Sequence, residues 1–169
     1  MTPEELHKLA LYNTETGLFS WLEREGKKGW NTRWAGKPAG NINVRGYVQI
    51  QILNKNYLAH RLAWFYVMGE WPEHEIDHID LNRSNNAWSN LRHATRSENA
   101  ANSPPHKDGA SGYKGVSYFK GGKKIKKWVA NIKSNGKKYH LGYYMTKEEA
   151  AAAYAKAAAE LHGEFARIA

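Results

Sequence analysis

The chain has 169 residues, 41% of them hydrophobic and 24% charged, with no cysteine and a formal net charge of +9. This length suits one domain of ordinary size or two small ones, and the apolar fraction excludes wholesale disorder. The absence of cysteine excludes disulfides and thiolate metal sites; no apolar run approaches bilayer length, and the acidic start lacks a signal core, so a cytoplasmic chain without membrane contact is expected.

Taken in chain order, residues 4–10 suit a short helix and 17–22 a strand. Residues 25–39, rich in Gly, Lys and Trp, have no period and suit a loop, either an arm or a segment packed by its tryptophans. Residues 47–53 form the clearest strand. A turn at 54–56 leads to a return strand at 57–60, then a helix over Leu62 to Met68 stopped by Gly69 and Pro72. After Asp77-His78 comes a polar loop, a brief strand at 90–94, and a helix that the capping box Thr95-Arg96-Ser97-Glu98 opens and that runs to about Asn102. Ser103 to Ser111, with two prolines and a glycine, reads as a linker. Beyond it lie three strands, 115–119, 127–133 and 138–144, the last two joined by an Asn135-Gly136 hairpin turn. A second capping box at Thr146 opens a helix through Leu161.

Charge divides along the same line. Residues 1–102 hold 12 Lys+Arg and 11 Asp+Glu, whereas residues 103–169 hold 13 and 5. Such asymmetry points to a nucleic-acid-gripping module attached to a more neutral one, against the plainer reading of a solvated basic face.

Asp77-His78-Ile79-Asp80, Asn85-Asn86, Asn90-Leu91-Arg92 and Glu98-Asn99 carry the chemistry. A strand, polar loop, strand and helix can bring Asp77, His78, Asn90 and Asn99 together. Phosphodiester hydrolysis needs a water deprotonated, phosphate charge neutralised and the leaving oxygen stabilised. A neutral histidine suits the first task, and a hard divalent cation on oxygen ligands suits the other two. Successive strand residues face opposite ways, so Asp77 and His78 share a site only at a strand end or bulge. Asn85 and Asn86 read as turn formers. His60 is open between site and core. Arg61 and Arg92 are candidate phosphate contacts, with solvated or ion-paired arginine as the default. His74-Glu75-Ile76-Asp77-His78 fits H-E-x-x-H, but that zinc-protease pattern works only on a helix.

With His60-Arg61-Leu62-Ala63-Trp64 ahead of them, these motifs resemble the HNH endonucleases, especially phage and intron-encoded homing nucleases, over residues 18–102. The resemblance implies a ββα-metal fold, His78 as general base, Asp77 and Asn99 as holders of Mg²⁺ or Mn²⁺, and Asn90 as a brace that orients His78. Downstream, Tyr113-Lys114-Gly115-Val116, Trp128-Val129-Ala130-Asn131-Ile132, His140-Leu141-Gly142-Tyr143 and Glu148 to Tyr154 are similar to the plant ethylene-response-factor (APETALA-type) DNA-binding domain. In that family the sheet enters the major groove. By position, Lys114, Ser117, Asn131, Lys133, Lys138 and His140 match its DNA-facing sites, although Lys, Ser and His replace its usual arginines and tryptophans. Lys124, among the lysines 120–127, reads as a phosphate contact or as part of a solvated loop.

The expectation is therefore an α+β protein: a ββα-metal nuclease domain at 1–102, a linker at 103–111, and at 112–169 a small three-stranded antiparallel sheet packed on one helix. The expected function is metal-dependent, site-directed cleavage of double-stranded DNA, in the host cytoplasm if phage-encoded. The alternatives are a non-catalytic DNA-binding regulator on a degenerate nuclease fold and a structured-RNA nuclease. One nuclease site cuts one strand per visit, so a double-strand break needs a weak dimer or a second visit by a monomer.

Overall fold

The computed structural model describes residues 1–106, 109–121 and 127–168. It is a mixed α and β structure of five helices and small antiparallel sheets among those residues. Two compact units emerge, Met1–Ala94 and Thr95–Ala169.

In the first unit, α1 (Pro3–Leu9) starts at a Thr2–Glu5 capping box. It leads into the hairpin β1 (Ala10–Tyr12) and β2 (Phe19–Trp21). Helix α2 (Lys28–Trp34) follows where the sequence suggested a loop. Its N-cap, Lys27, makes no side-chain capping bond and none of its residues is buried, so neither a cap nor an apolar stripe announces it. Strands β3 (Asn41–Ile42), β4 (Val48–Ile52) and β5 (Lys55–Leu58) make a three-stranded sheet. Its tight turn is Leu53-Asn54, both with positive φ, so β4 ends one residue before the expected limit. Helix α3 (Ala59–Met68) begins directly after β5 and ends at Gly69 in the left-handed conformation. Ala59 and His60 are thus helical rather than the end of a return strand. The hairpin β6 (Glu75–His78) and β7 (Leu91–Ala94) closes the unit.

The core of this unit joins Leu6, Tyr12 and Phe19 to Ile50, Ile52, Leu62 and Phe65, and it includes Ile76 of β6 and Leu91 of β7. Each strand of the hairpin therefore puts an apolar side chain into the core. Burial of that kind is worth roughly 1.5–3 kcal/mol per large side chain.

In the second unit, α4 (Arg96–Asn102) starts at the Thr95–Glu98 capping box. Strands β8 (Val116–Tyr118), β9 (Trp128–Ser134) and β10 (Lys137–Tyr144) follow, with β9 central. The β9–β10 turn is Asn135-Gly136, with φ of 48° and 79°, the pair a type I′ hairpin demands. Helix α5 (Lys147–His162) opens at the Thr146–Glu149 capping box. It packs Ala150, Tyr154 and Ala158 against Val116, Ala130 and Ile132.

The boundary between units falls ahead of α4, whereas composition placed it at 103–111. Side chains of the second unit explain this. Lys114 Nζ donates to the carbonyls of Ala100, Ala101 and Ser103 at 3.2, 2.5 and 2.6 Å. Arg167 Nε donates to Asn102 Oδ1 at 3.2 Å, and the Asn135 amide donates to Ser97 Oγ at 2.9 Å. Short helices leave their last carbonyls unsatisfied, and a lysine at the C-terminus satisfies several at once.

Candidate active site

Strand β6 stops at His78, so the Asp77-His78 pair does sit at a strand end. Asp77 lies directly opposite Arg92 in the β6–β7 register. Its carboxylate is only 3% exposed, and Arg92 Nε and Nη2 both donate to Oδ2, at 3.0 and 2.9 Å. A carboxylate this deep needs such a partner, because an uncompensated buried charge costs several kcal/mol. Both donors converge on the one oxygen, which holds Oδ2 in place with charge-assisted bonds.

The loop from Asp80 to Asn90 is held by its own amides. Asn90 Oδ1 accepts from the Asp80 amide at 3.0 Å, while its Nδ2 donates to Asp80 Oδ1 and to the Asn85 carbonyl at 2.9 and 2.8 Å. The loop is anchored from outside as well: Tyr12 Oη donates to the Asn86 carbonyl at 2.7 Å. Gly17, at φ +72°, lies so close that a Cβ there would sit 2.2 Å from the Ala87 nitrogen. The loop thereby delivers Asn86, 2% exposed, to His78. Asn86 Nδ2 donates to the Ser84 carbonyl at 3.2 Å, which turns Oδ1 toward His78 Nε2 at 3.1 Å. An acceptor at that position places the imidazole proton on Nε2 and leaves the basic lone pair on Nδ1.

His78 is also enclosed by rings. His60 meets it edge-on at 4.9 Å between centroids, and Tyr47 lies 6.0 Å away. Burial lowers the His78 pKa below its ordinary value of 6.5, against the opposing pull of Asn86, Asp80 and Asp77. The imidazole is neutral at pH 7. Burial, helped by His78 and Arg61, pushes His60 down to about 3. Its buried Nδ1 has no hydrogen-bond partner among the described residues. Desolvation raises the Asp80 carboxyl, but bonds from Asn85, Asn90 and the Asn82 amide outweigh it and hold the pKa below the usual value.

The family model described as HNH endonuclease matches residues 57–101, from β5 through α4. Over 110 residues the chain is 36% identical to Protein 3.8 of Escherichia phage T7, a match covering 64% of this chain and 88% of that protein. This chain belongs to the HNH endonuclease family. Over 128 residues it is also 36% identical to "Uncharacterized HNH endonuclease L560" of Acanthamoeba polyphaga mimivirus; the match covers 74% of this chain but 63% of that relative, less than two thirds of its length. No solved structure matches the chain. Membership brings nuclease activity on DNA as the general reading.

In this HNH chain the Asn90 side chain bonds within the loop, to Asp80 and Asn85, and the side-chain hydrogen bond described for His78 comes from Asn86, a residue that the sequence presents as a turn former. Nothing in an Asn85-Asn86 dipeptide distinguishes an exposed turn amide from one that folds inward. Asn99 lies in the first turn of α4, its amide donating to the Thr95 carbonyl at 3.0 Å. Arg61 donates to the carbonyls of His74 and Pro72 at 3.0 and 3.1 Å, tying the α3–β6 connection. The H-E-x-x-H stretch runs from His74, just ahead of β6, along that strand to His78 and not on a helix, so its histidines do not share a face in the way a zinc protease needs.

In the second unit, Lys114 caps α4; burial and the Arg167 guanidinium push its pKa down to about 8. Across β9 and β10, Asn131 pairs with His140 and Lys133 with Lys138, so four of the expected DNA-facing side chains share one face. Ser117 is exposed and pairs with Val129. A bulge between His140 and Gly142 then shifts the register and sets Tyr143 opposite Val129, on that face too. Strict alternation would have put Gly142 there. Lys124 lies outside the described residues, as do Lys123 and Lys126.

The donors present fit a hard cation better than zinc. Among the described residues no three His, Asp or Glu side chains form a metal cluster. Asp77 offers an anionic oxygen and the chain has no thiolate, which suits Mg²⁺, because that ion accepts few protein ligands and keeps most of its water.

His60 gives the first unit a defined acid sensitivity. Its folded pKa of about 3 lies below the unfolded value of 6.5, so the unfolded chain takes up the proton first. The stabilisation is full above pH 6.5 and is lost as pH falls toward about 3. The loss reaches about 2 kcal/mol at pH 5. Urea unfolding at pH 7 and pH 5 should show His60→Leu losing less stability between the two than wild type, by about that amount; equal losses would contradict the assignment.

Proposed function

We propose that this chain is a metal-dependent, site-directed DNA endonuclease of homing type. The observation that supports this most is the buried, neutral His78 with its proton held on Nε2 by Asn86, next in sequence to a buried carboxylate paired with arginine. In this reading His78 Nδ1 takes a proton from the attacking water. Asn86 fixes the tautomer and receives the growing positive charge of the ring at Nε2–H. The His60 and Tyr47 rings exclude bulk water from one side of the imidazole. Asp77 and Asn99 would hold Mg²⁺ or Mn²⁺, which when bound neutralises phosphate charge and stabilises the leaving oxygen. Arg92 orients Asp77 and offsets its charge in the protein.

The second unit serves as the targeting module, an APETALA-type domain that presents its β9–β10 face to double-stranded DNA. Lys133 and Lys138 stand directly opposite each other. Like charges so placed destabilise a sheet, and a polyanion lying across both reverses the sign. Asn131, His140 and Tyr143 extend the same face with hydrogen-bonding and stacking groups.

Supercoiled plasmid incubated with Mg²⁺ or with chelator tests the catalytic half. Wild type should nick it only with metal. His78→Ala should lower the rate on the order of 10²–10⁴-fold with DNA affinity retained, and Asp77→Asn should abolish cleavage with affinity similarly retained. No cleavage beside firm binding would point to the non-catalytic regulator, and metal-independent nicking would remove the cation from the mechanism. The binding half is read from salt dependence. Replacing Lys133 and Lys138 by Gln should reduce the slope of log K against log salt by about 2, since each phosphate contact contributes roughly 0.9; an unchanged slope would remove this face from the DNA interface.

A further inference from the structure

The near-neutral charge of residues 1–102 conceals segregation. Residues 24–56 carry seven Lys+Arg and one acid, Glu25, whereas the remaining residues up to 102 carry five and ten. The cationic segment folds as α2 and the β3–β4–β5 sheet, and these line an open groove of about 920 Å³. One wall is aromatic. Trp21 and Trp30 meet edge to face at 5.9 Å, and the Arg24 guanidinium lies 3.8 Å from the Trp30 ring centre. The buried Nε of Arg24 has no hydrogen-bond acceptor among the described residues.

The opposite side is made of amides. Ile50 and Ile52 face the core, so Gln49 and Gln51 face the groove. Asn41 pairs with Gln49 across β3–β4, and Asn56 pairs with Gln51 across β4–β5. Four carboxamides on three strands thus form a staggered row on one sheet face. Folding does not ask for it, because asparagine is disfavoured in strands. Residues i and i+2 of a strand stand roughly 6.8 Å apart, close to two base steps of about 3.4 Å each. Carboxamides are also the side chains that pair bidentately with adenine edges in the major groove.

We propose that this groove is a second DNA-reading surface, seated on the major groove of a duplex. Gln49, Gln51, Asn41 and Asn56 address base edges, and Arg24, stacked on Trp30, meets a backbone phosphate. The proposal rests on the reading of the chain as a DNA nuclease and deepens it: the nuclease unit chooses sequence itself and does not leave that choice wholly to the basic module.

The full chain carrying His78→Ala, which holds DNA without cutting it, is used to select sites from a randomised duplex library. The same chain with Gln49→Ala and Gln51→Ala is run beside it, after urea unfolding has shown equal midpoints. The parent should select a motif, and the double variant should lose base preference at positions about two steps apart. Its affinity for the selected site should fall at least tenfold, while its affinity for random duplex stays within twofold. Arg24→Gln should weaken binding to both duplexes alike. An unchanged motif and affinity in the double variant would overturn the proposal, as would a parent without any motif or one that prefers single-stranded DNA or RNA. Cleavage by the chain with His78 intact, measured in parallel with Mg²⁺, separates the two readings. Selection that depends on the amides without cleavage removes the nuclease reading and keeps the groove. Cleavage with amide-independent selection does the reverse.

Discussion

The site depends on a knot of hydrogen bonds in the loop between β6 and β7. Asn90 uses its carboxamide oxygen once and its nitrogen twice, joining Asp80 to Asn85. A polar loop of this length has no core of its own. Without such cross-links it would sample many conformations, and ordering it costs roughly 1–2 kcal/mol per residue. With them, one conformation dominates, and Asn86 arrives inside the fold with its oxygen on His78. Tyr12 and the Gly17 backbone hold the loop from the β1–β2 side. Residues far apart in sequence therefore share one task, which is to define where a single imidazole carries its proton.

Burial and hydrogen bonding divide the electrostatic work. Asp77 and His78 are neighbours in sequence, yet they are treated differently. The carboxylate is buried with a guanidinium donating twice to one of its oxygens. The imidazole is buried among rings that carry no compensating charge, which keeps it neutral. Adjacent residues at the end of β6 thus meet different surroundings, a guanidinium for one and uncharged rings for the other.

How far these arrangements could be foreseen depended on whether the signal was local. The capping boxes at Thr95 and Thr146 and the Asn135-Gly136 turn are satisfied by residues three or fewer positions away, and each appears where the sequence places it. Asp77, His78 and Asn90 stand out in the sequence as polar residues around one loop, and the hairpin β6–β7 with its loop carries them. The partners that shape the site do not stand out. Asn86 looks like any loop asparagine until the fold buries it. Arg61 and Lys114 bear charges that suggest DNA, but long-range carbonyls engage them. Helix α2 lacks both cap and stripe, and Trp30 within it gains its meaning only from Arg24 and Trp21. The ties that hold α4 to the second unit, from Lys114, Arg167 and Asn135, are likewise distant in sequence, whereas proline and glycine are the local signal there.

The most direct measurement of the central claim is a long-range ¹H–¹⁵N correlation spectrum of the histidine rings at pH 7. The loop geometry predicts that His78 is neutral, with a protonated Nε2 and an unprotonated Nδ1, and that Asn86→Ala abolishes this preference. A His78 ring found protonated on Nδ1, or on both nitrogens, in the wild-type chain would contradict the account.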